Sequence, residues 1–175
     1  MAEELVYLDY AASTPVDPRV ADRMREVGEI AFANPSSTHV AGRLTHEIIA
    51  RSASQLGSLL NTEPKTLVWT SGATESDNLA IAGGARYRAH KGKHIITMKT
   101  EHKAVTDVFD SLAKEGFEVT WVEPDSRGLL DPESFAAALR DDTQFASIML
   151  VNNETGVIQD VEAIGTICRD RDVLF

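Results

Sequence analysis

Residues 69–78, Trp-Thr-Ser-Gly-Ala-Thr-Glu-Ser-Asp-Asn, hold the residue types that an anion-binding turn needs. Gly72 lets the backbone come close to a ligand, and Ala73 adds almost no bulk. Thr74 falls where a helix should begin, with Asp77 three residues on in a capping-box arrangement. Free backbone N–H groups and the positive end of a helix dipole make such a turn a seat for a phosphate. A hydroxyl from Thr74 or Ser71 adds one more donor. The same pattern also describes an ordinary strand–turn–helix joint capped by Thr74, because capping boxes are common in helices that bind no phosphate. Two further polar clusters stand out, Thr100-Glu101-His102 and Asn152-Asn153-Glu154.

These clusters gain meaning from the elements that must carry them. From residue 65 onward, strand-like and helix-like segments alternate, which predicts βαβ units and a mostly parallel sheet. The strands are expected at Thr66–Trp69, His94–Met98, Phe117–Val122 and Phe145–Val151, with another opening at Val173–Phe175. The helices between them are expected near Glu75–Ala89, Lys103–Glu115, Pro132–Leu139 and Val161–Arg171. Gly116 makes a stop for the second helix, and Asp131-Pro132 a start for the third. Ligands of open α/β sheets bind at the carboxyl ends of the strands. All three polar clusters fall at such ends, so they are expected to converge on one edge.

The first 64 residues read differently. Leu5–Tyr10 suits a short strand, Ala11 to Pro18 is a turn-rich entry, and Asn34-Pro35-Ser36-Ser37 is a loop signal. Residues 46–60 have helical spacing through Ile48, Ile49, Leu56, Leu59 and Leu60.

Composition excludes several classes. The chain of 175 residues is long enough for one domain with a core, and its 43% hydrophobic content fits a folded protein. With 17 basic and 27 acidic side chains the net charge is −10, which argues against nucleic acid as the main partner. A single cysteine, Cys168, rules out an internal disulfide and suggests a reducing compartment. The start, Met-Ala-Glu-Glu-Leu, lacks a signal-peptide pattern, and no apolar run approaches a membrane span of ~20 residues. A cytoplasmic location without membrane association is the expectation.

Common nucleotide and metal motifs are missing. No Gly-x-Gly-x-x-Gly follows a strand, and Gly92-Lys93 fails as a P-loop because Tyr87 takes the first glycine's place and His94 follows the lysine. The five histidines (39, 46, 90, 94 and 102) have no paired spacing on a helix face, so no metal site is expected. A lone histidine is usually structural. His102 is set apart by its place just past a strand end. Cys168, between Ile167 and Arg169 in a helical stretch, reads as a packing cysteine rather than a nucleophile.

Five segments stand in order: residues 8–15 (Leu-Asp-Tyr-Ala-Ala-Ser-Thr-Pro), Asn34-Pro35-Ser36-Ser37 with His39, residues 70–78, Lys99-Thr100-Glu101-His102, and residues 151–156 (Val-Asn-Asn-Glu-Thr-Gly). Together they resemble cysteine desulfurases, pyridoxal 5′-phosphate (PLP) enzymes of the class-V aminotransferase group. The form of the 72–78 segment is similar to the subgroup that feeds iron–sulfur cluster assembly and tRNA thiolation. The resemblance implies a three-layer α/β fold of the PLP-dependent transferase type with a mainly parallel sheet. It implies that residues 1–64 contribute to the substrate side and small domain, and that 65–175 form the first half of the PLP-binding large domain.

By the same resemblance, Ala73 and Thr74 match the positions that hold the cofactor phosphate. His102 matches the histidine stacked over the pyridine ring, where it also serves proton transfer as a catalytic residue. Asn153 matches the asparagine that contacts the cofactor and the substrate. The Asn34–Ser37 loop and the Ala11–Thr14 turn correspond to walls on the substrate side. The expected reaction converts L-cysteine to L-alanine and passes the sulfur on as a persulfide to a sulfur-acceptor or scaffold protein. The expected assembly is a homodimer. The Schiff-base lysine, the sulfur-receiving cysteine and the carboxylate-binding arginine of the family would all lie beyond Phe175. The lysines at 65, 91, 93, 99, 103 and 114 fall outside the matching context. The chain is therefore expected to be truncated within the large domain, with the C-terminal half on a second chain or removed, and to be inactive alone. The residues leave open another class-V PLP enzyme, a selenocysteine lyase or an aminotransferase, and a non-catalytic fragment or subunit of the same fold.

Overall fold

A computed structural model describes residues 6–10 and 12–175. Two compact units divide the chain, Met1–Trp69 and Thr70–Phe175.

The second unit is built on a parallel sheet. Strands β1 (His94–Met98), β2 (Glu118–Val122) and β3 (Thr143–Ser147) lie in the order β2-β1-β3. Leu174 bridges to Phe145 in the same sense, on the side of β3 away from β1. Every residue of β1 is buried, as expected for a central parallel strand covered on both faces. Side chains alternate across it. Ile95 joins one core with Ile81, Ala85, Val105, Phe109, Leu112 and Phe145. Ile96 and Met98 join another with Val122, Phe135, Ile148, Ile164 and Cys168. Helices therefore cover both faces, and the unit has three layers of the α/β kind.

Four helices of this unit follow from local sequence. We number all helices in chain order: α1 (Pro18–Ile30) and α2 (Val40–Leu59) in the first unit, then α3 (Ala73–Arg88), α4 (Lys103–Lys114), α5 (Pro132–Ala138) and α6 (Val161–Asp170). Val105, Val108, Phe109 and Leu112 recur at helical spacing and are the buried residues of α4. Gly116 has φ +91 just beyond it, where the N–H of Phe117 returns to the Leu112 carbonyl at 3.1 Å. That left-handed turn favours glycine. Asp131 caps α5 through Ser134 N–H at 3.0 Å, with Pro132 at the first helical position.

His94, fully buried, starts the central strand and clips it to both neighbours. Its Nδ1 lies 2.6 Å from Thr143 Oγ1 and its Nε2 2.7 Å from Thr120 Oγ1. Burial pushes its pKa down, so it is a neutral structural histidine.

Several expectations are corrected. Residues 66–69 form no strand among the described residues: Pro64–Thr66 is a 3₁₀ turn, and extended backbone follows without a ladder partner there. Alternating apolar residues make a strand only where a neighbour supplies hydrogen bonds. Residues 6–9 are likewise not in a strand, and Leu5 lies outside the described residues. The strand expected at 145–151 instead runs from Thr143 to Ser147, and the one expected from Phe117 begins at Glu118.

The helix expected over 46–60 begins earlier, at Val40, because His39 caps it by accepting the Gly42 N–H at 3.2 Å. Gly42 is needed there, since a Cβ would meet the Ser37 carbonyl oxygen at 2.4 Å. Helix α1 is an addition, started by Asp17 and Pro18. None of its residues is buried, so no apolar stripe announced it. Among the described residues of the first unit only Gly42, Thr45 and Gly57 are buried.

Candidate functional site

The chain enters α4 directly from the carboxyl end of β1, and α3 runs back toward the amino end of that strand. The start of α3 therefore lies at the same sheet edge as His102 and the segment after β3. Two observations fix this convergence. Asp77 of α3 is close enough to Glu101 to disfavour its charge. A cavity of about 400 Å³ is lined by Asp77, Ala80 and Ile81 together with Ser147, Ile148 and Leu174.

At the start of α3 the helix is left open. Gly72 is the N-cap residue, and no side chain caps it. The expected pairing of Thr74 with Asp77 is therefore not formed. Glu75, two residues earlier, takes that role, accepting Ser71 N–H at 2.7 Å and Ser71 Oγ at 2.6 Å. Those bonds hold its carboxyl below the usual range. The tie makes sense because Glu75 is the third helical residue, which is the reach of a capping-box acid. The first α3-side N–H to return to a carbonyl is that of Ser76, to Gly72 at 3.1 Å. Among the described residues, the N–H groups of Ala73, Thr74 and Glu75 and the Thr74 hydroxyl have no acceptor. A Cβ on Gly72 would point into open space. Three aimed donors at a dipole's positive end fit a phosphate.

His102 is exposed and is the N-cap residue of α4. Its Nδ1 accepts the Ala104 N–H at 3.0 Å. With Nδ1 as the acceptor, Nε2 is the ring nitrogen left for another partner. Asn153 is also exposed, and its Nδ2 donates to Glu154 Oε1 at 3.1 Å. Ala73, Thr74, His102 and Asn153 all lie at the carboxyl edge of the sheet. The Asn34–Ser37 loop is in the other compact unit, folded by Ser36 N–H to Asn34 Oδ1 at 2.9 Å and Ser37 N–H to the Asn34 carbonyl at 3.0 Å. Ala11 lies outside the described residues.

Two residues were noted in the sequence only as members of polar clusters, yet they join the loops. Asn152 is 7% exposed; its Nδ2 donates to the Thr100 carbonyl at 2.8 Å. Its Oδ1 accepts from Glu154 N–H at 3.0 Å, Thr155 N–H at 2.9 Å and Thr155 Oγ1 at 3.1 Å. Glu101 Oε1 accepts the Met149 N–H at 2.6 Å. Burial raises the Glu101 carboxyl to about 7, against the lowering effect of that hydrogen bond. The double asparagine was the available signal, but nothing local says which of the pair turns inward. Cys168 is buried in the α6 face of the core, and burial pushes its thiol up to about 11. It is no nucleophile.

Among the described residues, no helix is long and apolar enough to cross a membrane.

Comparison with known proteins agrees with the fold. The chain is 53% identical over 171 residues to a cysteine desulfurase IscS of Methylococcus capsulatus, covering 97% of this chain and 42% of that relative. It is 54% identical over 173 residues to that of Azotobacter vinelandii, covering 97% and 43%. The chain thus spans less than half the length of the curated relatives it matches. Among solved structures, one described as SspA in complex with cysteine superposes with a TM-score of 0.90 at 37% identity, over 95% of this chain and 48% of that one. DndA from Streptomyces lividans superposes with a TM-score of 0.83 at 41% identity, over 96% and 47%. Residues 6–175 match the class-V aminotransferase family throughout. A parallel sheet covered by helices on both faces accords with that match, and the chain belongs to the class-V aminotransferase family.

Proposed function

We propose that this chain is part of a PLP-dependent cysteine desulfurase that converts L-cysteine to L-alanine. The carbon–sulfur bond of the substrate breaks, and the sulfur leaves as a persulfide on a receiving thiol elsewhere in the protein. The observation that carries the reading is the uncommitted set of N–H groups at Ala73–Glu75, on the sheet edge that also bears His102 and Asn153. When bound, PLP supplies an electron sink for the substrate's α-carbon.

The chain's own residues bind and orient. The Ala73 and Thr74 N–H groups and the Thr74 hydroxyl hold the phosphate. The His102 ring would orient the cofactor and exclude water, and its Nε2 would be the atom that carries a proton. The Asn153 amide would help to hold the cofactor and the substrate. Residues 1–64 contribute to the substrate side and small domain, and 65–175 to the large domain. The complete protein acts as a homodimer in the cytoplasm. It passes sulfur to an acceptor or scaffold protein of iron–sulfur cluster assembly or tRNA thiolation.

The test uses the full-length protein and compares Thr74→Ala, His102→Ala and Cys168→Ser. Losing one hydrogen bond to a charged phosphate costs about 1.5–3 kcal/mol, or roughly 10- to 150-fold in PLP affinity for Thr74→Ala. His102→Ala should lower turnover of cysteine to alanine. Cys168→Ser should keep both. PLP affinity unchanged in Thr74→Ala, or sulfur transfer abolished in a folded Cys168→Ser protein, would overturn the assignment.

A further inference from the structure

We propose that Asn152 and Glu101 are positioning residues that tie the His102 loop and the Asn153 loop into one unit. They would thereby set the separation between the ring and the amide that face the ligand. The inference rests on the function proposed above for those two side chains, but its geometry stands by itself.

The Asn152 amide bridges the two loops. Its donor end holds the Thr100 carbonyl at 2.8 Å, two residues before His102. Its acceptor end gathers the Glu154 N–H, the Thr155 N–H and the Thr155 hydroxyl, which wrap the chain around Asn153. Backbone bonds close the same turn, from Gly156 N–H to the Asn152 carbonyl and from Asn152 N–H to the Val157 carbonyl, both at 2.9 Å. Glu101 adds a second tie one residue along, from its Oε1 to the Met149 N–H. Among the described residues, the Asn153 and His102 side chains have only short-range bonds of their own, to Glu154 and Ala104. Each is fixed within its loop, but the loops are fixed to each other by Asn152 and Glu101. Placement errors on the order of 1 Å can cost about 10²-fold in rate, so the two ties bear directly on the reaction.

An ordinary turn cap at Asn152 would order only residues 153–156. A tie between loops protects both segments together. Amide hydrogen exchange on the full-length protein, with and without PLP, separates these cases. We expect Asn152→Ala to speed exchange at 100–104 as well as at 153–156. Glu101→Ala should speed exchange at Met149 and at 100–104. Glu101→Gln keeps an oxygen for the Met149 N–H and should restore that protection. With PLP bound, Asn152→Ala should also reduce the induced circular dichroism of the cofactor, which reports its orientation, and lower kcat by about tenfold or more with KM less affected.

Faster exchange confined to 153–156 in Asn152→Ala, or unchanged cofactor dichroism and kcat, would overturn the proposal. If Asn152→Ala does not fold, the Glu101 pair decides, and unchanged protection at 100–104 in Glu101→Ala overturns it. A wild-type protein that neither binds PLP nor releases alanine refutes the proposed function instead, while the exchange measured without PLP still tests the ties.

Discussion

Replacing Glu101 by glutamine should stabilise the protein in alkaline solution and not in acid. The carboxyl sits at the β1 end, half-buried, with Asp77 nearby and a single strong hydrogen bond from Met149 N–H. Burial is the main reason its pKa rises from 4.5 to about 7. An acid with a raised folded-state pKa favours folding fully below its unfolded value of 4.5, and that contribution is lost as the pH climbs toward 7. At about 1.36 kcal/mol per pH unit, the gap is worth about 3.4 kcal/mol if undiminished. The side chain is partly open to water, so screening reduces this to about 1–2 kcal/mol. Glutamine keeps an acceptor for Met149 and never ionises, so the difference between the two proteins isolates the charge. Urea unfolding of the PLP-free full-length protein, followed by circular dichroism between pH 5 and 8, measures it. The glutamine variant should gain about 1–2 kcal/mol on wild type across that range. A difference that does not vary with pH, or wild type gaining as the pH rises, would refute the reasoning.

Two further outcomes follow from packing. Gly92→Ala should destabilise by roughly 3 kcal/mol or more in chemical unfolding, because a Cβ there would lie 2.0 Å from the Asp142 carbonyl oxygen, which belongs to the backbone and cannot swing aside. Wild-type stability in that variant would show that the β1 entry can move freely. The Cys168 thiol, buried and raised to about 11, should resist iodoacetamide at pH 8 in the folded protein and react on unfolding. Rapid alkylation under native conditions would contradict its burial.

The sequence by itself determined what acts over a few residues. The spacing of Val105, Val108, Phe109 and Leu112 made α4, Asp131-Pro132 started α5, and Gly116 ended α4 in the left-handed turn that favours glycine. Alternation of such elements was enough for a parallel α/β unit, because helices must cover both faces of parallel strands. The expected roles of Ala73, Thr74, His102 and Asn153 came from the resemblance of the motifs that hold them, not from their place in the pattern of elements. Tertiary structure decided whatever depends on a distant partner. Residues 66–69 have strand-like side chains, but among the described residues no neighbour supplies a ladder, and they form no strand there. The capping acid at α3 proved to be Glu75 rather than Asp77, since the helix started at Ala73. Which asparagine of the pair turns inward, and that Glu101 holds Met149, depend on contacts between residues 52 and 48 positions apart. Burial then sets the Glu101 charge, and burial is a property of the assembled sheet edge that no window of sequence contains.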